Sequence, residues 1–234
     1  MKVLITGTSR GIGKASALKF LKENHEVFGL DVEEGTIDNP SYHHFVCDVS
    51  KAQTLPEICD VEILVSNAGI QTAAKTLNSG SCYGETPALR DIEVNLLGAI
   101  NVTEKYAFQS SIKSVLFNAS VSALNGNEFP SYVASKAGVV GYMKHVAIRL
   151  ANEFKATSNA LCFGGVMTEL NQPVMQDKSL WNKIMDVTPL KKWASVEEAA
   201  EWVYFMTVVN TFCTGQAIDV SGGERNCLDL FVWE

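Results

Sequence analysis

The chain has 234 residues, 47% of them hydrophobic, with 26 acidic against 19 basic side chains and a formal net charge of −7. That length can bury a sizeable core and suits a single domain over 1–234, while the negative balance repels a polyphosphate backbone and excludes nucleic acid as an expected partner. No apolar run approaches the roughly 18 residues of a membrane span, and the opening MKVLITGTSRG has too short an apolar part for a signal peptide, so the expectation is a cytoplasmic chain with no membrane partner.

In chain order, short apolar runs alternate with longer amphipathic segments. A strand over 2–6 (KVLIT) leads through a glycine-rich turn into a helix over 11–23. After a strand at 26–30 (EVFGL), the polar segment 31–42 (DVEEGTIDNPSY) carries Gly and Pro without helical periodicity and predicts an irregular crossover. Between the strand at 43–47 and that at 61–66, about two helical turns fit. A long helix is expected over 87–109, opening at Thr86-Pro87, followed by a strand at 113–119. A helix over 131–154 and a strand at 157–163 come next. Residues 168–192, with Leu170, Leu180 and Trp181 among polar neighbours, read as a helical flap. Ser195 and Glu198 form a capping box opening a helix to 208, and a last strand covers 216–220. Most strands are apolar on both faces, as in a parallel sheet covered by helices, so the pattern predicts a doubly wound α/β fold.

The first strand runs into TGTSRGIGKAS, where Gly7, Gly11 and Gly13 occupy the turn that opens the first helix. Glycines let the backbone approach a pyrophosphate, and the helix N-terminus offers unpaired N–H groups and positive potential. Ser9, Arg10 and Ile12 lie in the same turn. Asp31, about twenty residues on, stands where a dinucleotide fold places an acid against the adenosine ribose hydroxyls. A carboxylate there repels a 2′-phosphate, whereas Arg10 could pair with one. The direct contact outweighs the flexible side chain, so NAD is favoured over NADP. Asp48 and Val49 follow the third strand, and Asn67-Ala68-Gly69 the fourth, both at strand ends that face the ligand crevice.

Tyr132 and Lys136, four apart, share one face of a predicted helix. A phenol titrates at about 10 in water, and a neighbouring ammonium is expected to lower that value and make Tyr132 a usable acid or base. A serine hydroxyl near the strand end then suits the carbonyl oxygen of a substrate.

TGxxxGxG at 6–13, NAG at 67–69 and YxxxK at 132–136 together resemble the short-chain dehydrogenase/reductase family. VNLLGAINVT (94–103), TPLKKWASVEEAA (188–200) and TGQAIDVSGGE (214–224) are similar to it too, so the likeness covers nearly the whole chain. The resemblance implies a Rossmann fold with one seven-stranded parallel sheet, NAD(P)-linked interconversion of an alcohol and a ketone, and a homodimer or homotetramer. It also implies that Asn95 holds a water in a proton relay to Lys136, and that Val166 and Thr168 contact the cofactor. Phe163, in CFGGVMTEL, stands where the family usually carries proline.

Ser120 emerges where the family's catalytic serine leaves the fifth strand, twelve residues before Tyr132 and one short of the commonest spacing. Ser122 is the alternative, and the Asn125-Gly126 loop can absorb one deletion. Two rival readings are an NADPH-linked 3-oxoacyl carrier-protein reductase and a non-catalytic dinucleotide sensor. Residues 78–86, with Met167, Leu170, Met175, Trp181 and Met185, are candidates to line the substrate mouth. Cys47, Cys59, Cys82, Cys162, Cys213 and Cys227 lack metal or disulfide spacing and read as thiols, with no metal site expected.

Overall fold

A computed structural model describes residues 1–72 and 87–224. Cys82, Cys227 and the expected mouth segment 78–86 lie outside the described residues. Seven strands, β1 (Lys2–Thr6), β2 (Glu26–Asp31), β3 (Tyr42–Val46), β4 (Ile63–Ser66), β5 (Ser114–Asn118), β6 (Thr157–Phe163) and β7 (Ala217–Val220), form one sheet in the order β3-β2-β1-β4-β5-β6-β7. Every pairing is parallel. Parallel pairing requires a crossover between neighbours, and the chain reverses direction across the sheet between β1 and β4.

Strand periodicity sorts the side chains to two layers. Val3 and Ile5 of β1 pack with Ala17, Phe20 and Leu21 of α1 (Gly11–Lys22) on one face. Leu4 packs on the other with Val139, Met143 and Val146. Those three residues belong to a 25-residue helix, Pro130–Phe154, which starts at a proline and ends at Lys155 in a left-handed conformation.

Three stretches depart from the expected elements, one of them the end of the helix expected to reach 208, which turns π-helical at Phe205–Val209. The crossover from β3 to β4 holds a single 3-10 turn, Ala52–Thr54, in place of two helical turns. Extended chain does the packing there: Leu55, Ile58 and Val61 are buried, and Lys105 Nζ and Tyr106 Oη donate to the Leu55 and Pro56 carbonyls at 2.8 and 2.6 Å. The long helix is broken into α2 (Pro87–Asp91), a π-helical segment Ile92–Leu97, and α3 (Gly98–Tyr106). A widened turn of this kind frequently marks a functional site, and Asn95 lies within it. After β5 come α4 (Ser122–Asn125) and the long helix, here α5. The flap is helical as expected, with α6 (Gln172–Gln176) and α7 (Lys178–Val187). Ser195 and Glu198 form both bonds of the capping box that opens α8 (Val196–Tyr204).

Gly13 sits where α1 crosses β1, and a Cβ there would fall on the Gly7 carbonyl oxygen and crowd Asn67 Nδ2. Neither backbone can yield cheaply. Gly13→Ala is therefore expected to cost about 1–3 kcal/mol and lower Tm by several degrees in a thermal melt. An unchanged Tm would show that the crossing relaxes freely.

Candidate active site

The carboxyl ends of the central strands open into a cleft of about 600 Å3. At one end is the glycine turn. Gly7 and Gly11 have φ of +76° and +55°, values that favour glycine. No side chain caps α1, so its first N–H groups are left for an anion. Asp31, at the end of β2, accepts from Ser9 N at 2.9 Å and Glu33 N at 3.0 Å, bracing the turn while still facing the cleft. Arg10 pairs with Glu33 at 3.1 Å, both side chains well exposed.

Gly7, Arg10, Gly11, Ile12, Asp31, Asp48, Val49, Asn67, Ala68, Gly69, Val166 and Thr168 all border the cleft. Ser9 and Gly13 do not: the Ser9 hydroxyl turns to the Glu33 carbonyl, and Gly13 underlies Gly7. Asp48 is held by Arg90 at 2.9 Å and by both the amide and hydroxyl of Ser50. These contacts lower its pKa against the opposing effect of burial. Asn67 ties β4 to β1 by donating to the Thr6 and Gly7 carbonyls at 2.7 and 3.2 Å. The Val166 carbonyl already accepts from Thr168 N and Asn171 Nδ2. Cys47 also borders the cleft, but burial pushes its thiol up to about 11, which suits an inert core thiol.

At the other end stand Ser120, Tyr132 and Lys136. Ser120 Oγ accepts from Ser122 N at 3.1 Å, and the Ser120 hydroxyl acts on the Tyr132 phenol. Ser122 is buried away from the cleft, and its hydroxyl has no partner among the described residues. Lys136 Nζ donates to the Asn118 carbonyl at 2.8 Å and sits 5.7 Å from the Tyr132 ring centre. The expected lowering of the Tyr132 pKa is not found. Burial pushes it up to about 12, the Ser120 hydroxyl opposes this, and Glu128 and Asp91 add to it. Burial also brings Lys136 down to about 8. Desolvation is the largest cause of both shifts.

Asn95 does not bond Lys136. Its side chain grips the Ile70 backbone, accepting from N at 2.8 Å and donating to O at 2.9 Å, and donates to Ser135 Oγ at 3.0 Å. The sequence reading missed Asp91, Ser131, Arg90, Glu128 and Glu224. The signal for Asp91 was an acid one helical turn before Asn95, on the inward face.

Leu170, Val174 and Ile184 from the flap, with Phe163 and Trp193, also border the cleft. Met167, Met175, Trp181 and Met185 do not border it, and Trp181 packs edge-to-face on Trp193 at 5.0 Å. In place of the missing proline, Gly164 N bonds the Val220 carbonyl and Gly165 N bonds Glu224. Glu128 and Glu224 face the same cleft, both raised in pKa by desolvation. No group of three metal-ligating side chains occurs among the described residues. No helix among them is long and apolar enough to cross a membrane.

A glycine turn at a helix N-terminus, an acid closing β2 and a Ser-Tyr-Lys group on one crevice define a dinucleotide-dependent oxidoreductase with a Rossmann fold. The family described as Enoyl-(Acyl carrier protein) reductase matches residues 7–224, and the chain belongs to it, within the short-chain dehydrogenase/reductases. The 3-oxoacyl-[acyl-carrier-protein] reductase FabG of Thermotoga maritima is 28% identical over 94% of this chain and 96% of its own. Glucose 1-dehydrogenase of Gluconobacter oxydans is 27% identical over 95% and 91%. Among solved structures, ligand-free aldohexose dehydrogenase of Thermoplasma acidophilum is 25% identical, covers 100% of this chain and 97% of its own, and superposes with a TM-score of 0.83. The protein is an NAD(P)-dependent enzyme of this family.

Lys136 gives a pH signature. Its folded pKa of about 8 lies below the ordinary 10.5, so between those values the unfolded chain holds more protons and stability rises with pH. Lys136→Met removes that contribution. The Tm of the native protein minus that of the variant should therefore grow by several degrees from pH 7 to pH 10, and a constant difference would show that Lys136 is not desolvated as described.

Proposed function

We propose that this protein is a cytoplasmic enzyme interconverting a secondary alcohol and a ketone with NAD(H), with Tyr132 as the acid–base group. The observation that carries this reading is that Ser120, Tyr132 and Lys136 border the same cleft as the glycine turn. When bound, the dinucleotide supplies or accepts the hydride. Gly7, Gly11 and Ile12 would hold its pyrophosphate, Asp31 its ribose, and Asn67 to Gly69 with Val166 and Thr168 the remainder.

A Tyr132 held at about 12 is a neutral phenol at neutral pH, ready to give its proton to a carbonyl oxygen. The Ser120 hydroxyl, fixed by Ser122 N, hydrogen-bonds that oxygen as charge develops on it. The Lys136 ammonium stabilises the phenolate left behind, and in the opposite direction that phenolate takes the proton back. Asn95 supports the relay by holding Ile70 and Ser135 in place.

NAD is favoured because Asp31 is followed by Glu33 and Glu34, and Arg10 is engaged with Glu33. A 2′-phosphate would meet three acids and displace an existing pair. The chain is read as one domain with 168–192 as a flap. Exposed Leu97, Ile148, Phe212 and the adjacent Trp202 and Phe205 support a dimer or tetramer. Light scattering that gave a monomer would reject the assembly.

The test is a turnover screen at 340 nm with NADH or NADPH against linear, cyclic and hydroxylated ketones. Tyr132→Phe should lower turnover at least about a hundredfold while NADH binding persists, Ser120→Ala should cost about a hundredfold, and Ser122→Ala little. Full activity in Tyr132→Phe would end the proposal. NADH should bind more tightly than NADPH, and Asp31→Ser should narrow that gap at least about tenfold. The 28%-identical FabG relative favours a second reading, NADPH-linked 3-oxoacyl reduction. Preferential turnover of acetoacetyl-coenzyme A with NADPH would establish it.

A further inference from the structure

Asp91 is a fully enclosed carboxylate. No cation pairs with it among the described residues, since the adjacent Arg90 is committed to Asp48 and Glu93. It accepts instead from Thr72 N and Thr72 Oγ1, each at 3.0 Å, and from Ser131 Oγ at 2.6 Å. Burying an ion on hydrogen bonds alone is costly, so a structural tie would be made more cheaply by an amide.

The arrangement around it is a ladder of two rungs. Asn95, one turn further along, joins Ile70 to Ser135. Asp91 joins Thr72 to Ser131. Ser131 and Ser135 immediately precede Tyr132 and Lys136, so the two rungs set the rotation of α5 about its axis and with it the aim of the pair.

We propose that Asp91 is a positioning residue for the Tyr132/Lys136 pair, locking the first turn of α5 against the cleft through Ser131 and supplying the negative charge in whose field the pair exchanges protons. This rests on the reading of Tyr132 as the acid–base group. Among the described residues, Glu128 and the Ser120 hydroxyl act on Tyr132, Cys162 acts on Lys136, whose Nζ bonds the Asn118 carbonyl, and Asp91 raises the pKa of both. Farther along α5, Arg149 pairs with Glu104 of α3.

The charge is tested without a substrate. In full-length protein carrying 13C-labelled lysine, the Lys136 resonance is assigned by its loss in Lys136→Arg and titrated by NMR. The native midpoint should lie near 8. Asp91→Asn keeps the shape and removes the charge, and should lower that midpoint by about half a pH unit or more. Ser131→Ala keeps the charge and should leave the midpoint in place, while lowering kcat about tenfold with KM unchanged, using NADH and the best ketone of the screen.

An unmoved midpoint in a folded Asp91→Asn overturns the electrostatic role, and an unchanged kcat in Ser131→Ala overturns the positioning role. If Asp91→Asn does not fold, the Ser131→Ala kinetics decide. Failure of the proposed function would show instead as an active Tyr132→Phe, which leaves the lysine titration readable.

Discussion

Uniform parallel pairing is the constraint on which the site depends. Each strand has to be returned over a face before its neighbour can be laid down, so all seven carboxyl ends fall on one edge of the sheet. The reversal between β1 and β4 parts the connections there and opens the cleft. The glycine turn after β1 and the Ser-Tyr-Lys group after β5 lie more than a hundred residues apart in the chain, yet that geometry brings them to opposite ends of one crevice. Asn67 fixes the spacing by stitching β4 to the end of β1, while the Lys136 bond to the Asn118 carbonyl fixes α5 to β5.

Ser120 and Lys136 are buried, and little solvent reaches them. Burial raises the Tyr132 phenol and lowers the Lys136 ammonium, which moves the two pKa values toward opposite sides of their usual order. Removing solvent strengthens every remaining interaction, so single groups such as the Ser120 hydroxyl and the Asp91 charge act strongly. A buried polar system of this kind works only if its members are held, and the rungs through Asp91 and Asn95 do the holding. The π-helical segment is the backbone counterpart, placing Asn95 inside the core.

At the near end solvent is plentiful and the logic differs. Asp31 and Asp48 are both engaged, the first by backbone amides and the second by Arg90 and Ser50. Their side chains are therefore prepositioned around the cleft rather than free to swing into it. The crossover from β3 to β4 is compatible with this because extended chain, anchored by Lys105 and Tyr106, takes the place of a helix there.

The sequence alone determined the alternation of strands and helices, the glycine turn, the Tyr132/Lys136 face and the capping box at Ser195, because each is written in local periodicity or short spacing. The resemblance to the short-chain dehydrogenase/reductases also favoured Ser120 over Ser122. Tertiary structure decided what depends on burial and on distant partners. The rise of the Tyr132 pKa, the use of Asn95 as a clamp on Ile70, the enclosure of Asp91 and the replacement of helix by extended chain at 55–61 all arise from groups far apart in the chain. A sequence gives the spacing of side chains along one element, whereas desolvation and hydrogen-bond partners are set by the elements packed against it.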